Sequence, residues 1–338
     1  MDSLAVELIA EVAFHACTDG GFTGSSLSVV SRRIRDATHT ARFHSVSIAS
    51  NPEAFAKFLD VYREQRHRTR DVYPRVRHLF LSLLPIEGEP VYRTPRLSLH
   101  NAVRAYEEHL RTLRDLGERH GATLCDLVRE LAPDLETFAF VRGEWKNVPT
   151  VDCVFPRLRE LSLIDGVPEF IRLEGVERPM FPRLERLHTV EYFHARPVDL
   201  CQFAHHAPHL VHYRCSGMHY ADTATMCSLK LVTGPRSSED ESPLLPHLRR
   251  VMAQPTVVKH CFGDMQGQNR LSAELRACAA QARSGTRFHI LVKHDPLQPV
   301  NTQEGIETAP ERCIRKAKEE WMQRVEGGSG CWAGDYVF

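Results

Sequence analysis

The chain has 338 residues, of which 42% are apolar and 25% charged, which is the balance of an ordinary globular protein. Lysine and arginine together number 43, as do aspartate and glutamate, so the formal net charge is zero and charge-driven binding of nucleic acid is not expected. The ten cysteines include no C-x-x-C pair, which favours reduced thiols in a cytoplasmic or nuclear protein. The sequence shows neither a basic signal-peptide segment at its start nor an apolar run near the roughly 20 residues of a membrane helix.

The first 40 residues are predicted to form a small helical module. Residues 3–14 and 26–37 carry apolar side chains at helical spacing, and Asp19-Gly20-Gly21 separates the two helices. The apolar residues are Leu4, Leu8, Ile9, Val12, Leu27, Val30 and Ile34. Two or three short helices bury little surface, so this module needs the rest of the chain or a partner for stability.

A strand, a helix and a second strand follow the module. Residues 43–49 alternate between apolar and polar, and Asn51-Pro52-Glu53 is a strong helix start for residues 52–64. A second strand is predicted over residues 77–83. Two further helices are predicted at residues 101–119 and 123–131.

One repeat organises the middle of the chain. Six copies of P-x-[L/V]-x-x-[apolar]-x-[mostly apolar] begin at Pro74, Pro133, Pro156, Pro182, Pro208 and Pro246. The proline ends the preceding element, the residue two after it is expected in the core, and the last two apolar positions share one face of a short strand. The residue between those two positions is predicted to point outward.

The spacing of the copies resembles degenerate leucine-rich repeats. Intervals of 23 and 26 residues fall within the 20–29 of that repeat class, whereas those of 59 and 38 do not. The resemblance predicts an α/β fold in which residues 41–306 form an irregular leucine-rich-repeat solenoid.

The end of the chain is predicted to be a capping helix with a tail, residues 307–338. Thr308-x-x-Glu311 is a capping box, and Ile314, Ala317 and Trp321 then lie on one apolar face. We expect this helix to close the last repeat, and a partner-binding helix is the alternative.

Several clusters of side chains are candidate functional sites. Histidines 205, 206, 209 and 212 lie between Cys201 and Cys215, which admits a metal site, although surface and core roles are favoured. The acidic loop 236–242 contains serines and is a candidate site of phosphorylation. The basic stretch 63–70 is a candidate binding site for an acidic partner. Cys331 is a conceivable nucleophile, but no catalytic signature is present, so no catalytic residue, cofactor or metal is predicted.

The helical module resembles an F-box. Leu4-Ala5-Val6-Glu7-Leu8-Ile9 is similar to that family's opening helix, and Leu27-Ser28-Val29-Val30-Ser31-Arg32-Arg33-Ile34 to its later helix. Ala5 stands where the family has proline, and Ile34 where it often has tryptophan. The order of an F-box followed by repeats is similar to a large family of fungal F-box proteins.

The resemblance implies a function without chemistry of its own. The module would dock on a Skp1-type adaptor, and through it a cullin, while the repeats would hold a protein substrate for ubiquitin transfer. The implied contacts are Leu4, Leu8, Ile9, Val12, Leu27, Val30 and Ile34. A repeat scaffold without ligase role is the alternative, and a metal-dependent enzyme using the Cys201–Cys215 cluster is a remote one.

Overall fold

The computed structural model describes residues 4–49, 51–68, 73–84, 99–143, 145–191, 198–234, 244–256, 262–293, 300–302, 305–307 and 309–333. The helices are α1 (Val6–Ala16), α2 (Phe22–Val30), α3 (Arg32–Thr38), α4 (Pro52–Arg68), α5 (Leu99–Leu131), α6 (Leu200–His206), α7 (Thr223–Thr233), α8 (Phe262–Ala280) and α9 (Ala309–Val325). The main strands are β1 (Ser45–Ala49), β2 (His78–Ser82), β3 (Thr137–Val141), β4 (Glu160–Ile164), β5 (Arg186–Val190), β6 (His212–Met218), β7 (Arg250–Pro255) and β8 (Arg287–Ile290). A small hairpin, β9 (Val300–Thr302) and β10 (Gly305–Glu307), and 3-10 turns at Ala41–Phe43 and Gly330–Trp332 complete the described elements.

The strands β1 to β8 form one all-parallel sheet whose spatial order is the sequence order. The register aligns the strand starts, so that Glu160 lies beside Arg186, Arg186 beside His212, and His212 beside Arg250. Equivalent residues of neighbouring strands are therefore roughly 4.8 Å apart along the sheet.

The proline-marked pattern correctly predicts six of these strands, β2 to β7. The residue two after each proline is buried, as expected: these residues are Val76, Leu135, Leu158, Leu184, Leu210 and Leu248. Phe155 and Phe181, which precede two of the prolines, stack in a row with Phe203, with ring centroids 5.4 and 5.9 Å apart. This aromatic row fills the turns below the strands.

The two faces of the sheet have different coverings. Side chains such as Leu79, Phe138 and Leu161 pack with helices α4 to α8 in the main core. Side chains one position later, such as Phe80 and Ala139, pack with α9 in a separate core. Because side chains alternate along a strand, α9 lies on the face opposite α4 to α8.

The predicted leucine-rich-repeat solenoid is wrong, although the α/β content is correct. The described strands form a single eight-stranded parallel sheet whose connections are unlike one another. The connection from β2 to β3 contains α5, which has 33 residues, whereas the described residues between β3 and β4 form no helix. The repeated pattern specifies where strands begin, but a solenoid also needs similar connections that stack as equal units.

The C-terminal helix does not cap the last strand. It packs across β2 and β3, and its Trp321 ring lies 5.8 Å from that of Phe80. The residues between the apolar strand positions, predicted to point outward, are therefore partly covered: His188 and Arg214 are buried and Ser162 is half-buried. Thr308 of the predicted capping box lies outside the described residues.

Two helix boundaries differ from the sequence prediction. Residues 26–37 form parts of two helices, because Ser31 is extended and its Oγ caps α3 by accepting from the Ile34 amide at 3.2 Å. Residues 101–131 form one helix rather than two. Gly117 and Gly121 do not break it; a Cβ at Gly117 would lie 1.6 Å from the Lys146 carbonyl oxygen, so glycine permits close packing of that segment.

None of the nine cysteines among the described residues forms a disulfide. Within those residues, no helix combines the length and the apolar character that crossing a membrane would require.

Candidate functional site

The N-terminal module is a three-helix unit with a very small core. Ile9 of α1 and Ile34 of α3 are buried against Ala37, with Leu27 half-buried beside them. Of the predicted partner contacts, Ile9 and Ile34 are thus core residues in this conformation. They support the module surface instead of forming it.

Apart from the half-buried Leu27, the other predicted contacts are exposed. Leu4, Leu8 and Val12 are 45%, 55% and 68% exposed; Leu8 and Val12, four residues apart, lie on one side of α1, and Leu4 lies just before the helix begins. Val30, at the end of α2, is also exposed, and Arg33 just after it donates to the Leu4 carbonyl oxygen. The start of α3, which directly follows α2, therefore lies close to Leu4. We call Leu4, Leu8, Val12 and Val30 the apolar row.

The module is joined to the edge of the sheet. The Ser45 hydroxyl of β1 donates to the Cys17 carbonyl oxygen (2.8 Å) and accepts from the Gly20 amide (3.0 Å). The Ser47 amide of β1 donates to the Gly20 carbonyl oxygen at 2.9 Å. Gly20 has φ of +79° and its Cβ would lie 2.7 Å from the Ser47 Cβ, so glycine is required at this junction. These bonds cover part of the exposed edge of β1.

A second polar site lies between the sheet and the C-terminal segment. The buried Glu160 carboxylate on β4 accepts hydrogen bonds from the Arg324 guanidinium of α9 at 2.9–3.0 Å. It also accepts from the Trp332 indole Nε1 at 2.9 Å, and Arg186 lies 3.7 Å away. One strand residue thus holds both α9 and the final 3-10 turn against the sheet.

Arg214 of β6 forms a second anchor at the same place. Its guanidinium donates to the Ser216 Oγ (3.0 Å), to Gln254 Oε1 (3.0 Å) and to the Ala333 carbonyl oxygen (3.3 Å). The Ser216 Oγ lies 3.1 Å from His188 Nε2. A cavity of about 30 Å³, little more than the volume of a water molecule, remains between these side chains and α9.

Three potential metal ligands meet beside this cavity. One ligand atom each of His188, Glu320 and Cys331 lies within 4.8 Å of the others. Burial, with help from Glu320, holds the pKa of the Cys331 thiol well above its usual range, so the thiol is neutral. Burial and the neighbouring Arg214 hold the pKa of His188 well below its usual range.

This cluster is better suited to holding the C-terminal segment than to catalysis or metal binding. A neutral, buried thiol is a poor nucleophile, because reactive cysteines need thiolate character and access. Apart from the effect of burial, the positive charges of Arg214 and Lys316 lie close enough to His188 and Glu320 to lower the pKa of each. The same charges would repel a metal cation bound between these residues. We therefore interpret Cys331 as a structural residue.

The cysteines and histidines between residues 201 and 215 do not form a site. His205 and His206 bond to the carbonyl oxygens of Glu177 (2.9 Å) and Leu173 (2.7 Å), and Cys215 is buried in the main core. In the described part of the chain, the only group of three or more nearby metal ligands contains none of them. The structure therefore does not bring together the ligands on which the metal-enzyme alternative depends.

The described part of the basic stretch lies at the end of α4 and is largely paired within the fold. Arg63 bonds to Glu130, Arg68 to Glu64, and the Arg66 guanidinium lies 4.7 Å from the Tyr73 ring centroid. The acidic loop 236–242 lies outside the described residues.

Sequence reasoning missed Glu160, His188 and Arg214 as members of one polar site. The signal was present, since each occupies a strand position that faces away from the main core. The register then places these residues on adjacent strands. Their partners in α9 and the final turn were not predictable from spacing.

Comparisons with protein-family models, with curated proteins and with solved structures return no match to this chain.

Proposed function

We propose that this chain is a substrate-recognition adaptor of a Skp1-cullin-F-box ubiquitin ligase, and that ubiquitin transfer takes place on other subunits. The observation that supports the proposal is the apolar row on a three-helix module that precedes a larger α/β domain. Exposed apolar side chains that cluster on one small surface are typical of a protein-protein interface. The F-box resemblance of the same residues supplies the partner: a Skp1-type adaptor.

Burial divides the module into two functional layers. Ile9 and Ile34 hold the helices together, while Leu4, Leu8 and Val12 are available to a partner. Burying three large aliphatic side chains stabilises a complex by roughly 1.5–3 kcal/mol each before the cost of association. The row could thus supply a central part of the binding free energy.

Capture of purified Skp1 by the full chain tests the proposal. Wild type should form the complex, and the double substitution L8D/V12D should weaken it at least tenfold, because two carboxylates would be buried without partners. The matched control is L231D, since Leu231 on α7 is 66% exposed and lies outside the module. If neither wild type nor an A5P variant binds Skp1, the adaptor function is refuted.

A protein-binding scaffold without ligase role is the second candidate. The hydrogen bonds among Cys17, Gly20, Ser45 and Ser47 favour it, because they give the module a structural role in covering the β1 edge. This alternative predicts a stable monomer that does not capture Skp1. Aggregation of the isolated chain that Skp1 relieves would contradict it.

A further inference from the structure

Arginine and histidine side chains gather at the edge of the sheet where β5 to β8 begin. Arg183, His209, His247 and Arg249 are exposed at the turns before these strands. Arg186, His212, Arg250 and Arg287 occupy the first positions of the strands and are aligned by the register. We call these eight residues the basic edge.

Among the described residues, few carboxylates balance this edge. Glu185, in the turn before β5, is half-buried, and its carboxylate already lies 3.7 Å from the Arg159 guanidinium. Glu160, near Arg186, is buried and bonded to Arg324. Arg183 and Arg249 have no ion pair with any described residue. The chain as a whole has zero net charge, so the five arginines of the basic edge form a local concentration of positive charge.

The field of these arginines acts on neighbouring histidines. Burial lowers the pKa of His212, and Arg186 and Arg250 lower it further, with Glu185 acting in the opposite sense. Burial likewise lowers the pKa of His289 on β8, and Arg250 and Arg287 add to the effect. The positive potential therefore extends across β5 to β8.

An open groove of about 430 Å³ runs along this edge. Its lining includes Arg183, His209, His247 and Arg249 around Val211, which provides a small apolar floor. The lining runs from Arg159, before β4, to Arg249, before β7, which is three strand spacings or roughly 14 Å, and four or five extended residues span that distance at about 3.3 Å each. The dimensions suit a short extended peptide.

We propose that the basic edge binds an acidic peptide segment, rich in aspartate and glutamate, of the protein that the adaptor recognises; in naming a substrate class, this proposal rests on the proposed function. Arginine guanidinium groups bind carboxylates with paired hydrogen bonds. The Glu185 carboxylate can accept from a peptide N–H, a donor that a phosphate backbone lacks. Among the described residues that line the groove there is no Phe, Tyr or Trp on which nucleic-acid bases could stack, which favours peptide over nucleic acid.

Binding of a fluorescent polyglutamate peptide to the full chain tests the proposal. The R183Q/R249Q variant should bind roughly five- to tenfold more weakly, since each exposed ion pair contributes about 0.2–1 kcal/mol. Added salt should weaken wild-type binding. The matched control is R104Q/R111Q, which removes two exposed arginines from α5 and should leave affinity unchanged. Thermal denaturation checks that all variants are folded.

Specific outcomes would overturn the proposal. They are equal binding of a polyglutamine peptide, equal weakening by R104Q/R111Q, and tight binding of single-stranded RNA with no binding of polyglutamate. Skp1 capture is measured on the same preparations. Peptide binding without Skp1 capture would support peptide recognition by the basic edge and refute the adaptor function. Skp1 capture without peptide binding would support the adaptor function and refute peptide recognition by the basic edge.

Discussion

The Glu160 carboxylate is the anchor of the C-terminal segment, and Glu160→Gln tests that role. Three hydrogen bonds of 2.9–3.0 Å from Arg324 and one of 2.9 Å from Trp332 converge on this side chain, which is 6% exposed. Glutamine keeps the shape of glutamate but removes the charge. Its NH₂ group would also face the donors of Arg324, so at least one hydrogen bond is lost and the guanidinium is left without its counter-charge.

The expected cost follows from the burial of the pair. Breaking a buried ion pair costs about 3–5 kcal/mol, and a 20%-exposed Arg324 side chain regains part of this from water, so we expect about 3 kcal/mol. Glu185→Gln is the matched control on the neighbouring strand connection. Its partner Arg159 is 3.7 Å away and both side chains are at least 40% exposed, so that change should cost less than about 1 kcal/mol.

Urea denaturation followed by tryptophan fluorescence measures both variants. Two of the three tryptophans, Trp321 and Trp332, lie in the C-terminal segment, so its release also shifts the emission directly. Limited proteolysis should cleave the E160Q segment faster than that of E185Q. If the two substitutions destabilise the protein equally, Glu160 does not anchor the segment and the reasoning is refuted.

Two further predictions concern local backbone and buried charge. Ala5 is the N-cap of α1 and has φ of −62°, the angle that proline prefers. Ala5→Pro should therefore raise the free energy of unfolding by about 0.4–1 kcal/mol, measured by thermal denaturation. A loss of stability would show that the backbone around Ala5 cannot accommodate the proline ring. Burial, with Asp222 beside it, raises the pKa of Glu191 to about 9, so the folded state keeps a proton that the unfolded state releases above its pKa of about 4.5. Wild-type stability should therefore fall between pH 6 and pH 8, by at most about 2.7 kcal/mol from this group, and Glu191→Gln should remove that fall in urea denaturation. Parallel pH profiles of the two proteins would contradict the assignment.

The strand positions were predictable because their determinants are local. Proline fixes where each strand can begin, and alternation then selects which residues face the main core. Leu158, Leu184 and Leu210 are buried for this reason, and each can be identified from its distance to a proline. The phenylalanine row belongs to the same pattern, since Phe155 and Phe181 directly precede prolines.

The position of α9 was not predictable because its determinants are distant in sequence. An amphipathic helix at the end of a chain can close the last strand or cover a face, and its own apolar spacing is the same in both cases. The choice depends on Phe80 and Glu160, which lie on strands far earlier in the chain. The hydrogen bonds from Arg324 to Glu160 span 164 residues, beyond the reach of any local pattern.

The prediction of a solenoid failed for a related reason. The copies of the proline pattern are alike, but the residues between them are not, and α5 alone has 33 residues. Only the register of the sheet shows that the strand starts align. That alignment brings Arg186, His212 and Arg250 together, and so the basic edge could not be identified from the separate copies.

The placement of the two proposed binding surfaces favours a bridging role. The module is bonded to β1, whereas the basic edge begins at β5, four strand spacings or roughly 19 Å away along the sheet. A partner on the apolar row would therefore leave the groove around Arg183 and Arg249 open. If the chain joins a ligase to an acidic substrate, Skp1 and polyglutamate should bind at the same time without competition. A scaffold that used both surfaces for one partner would instead show mutual exclusion of the two ligands.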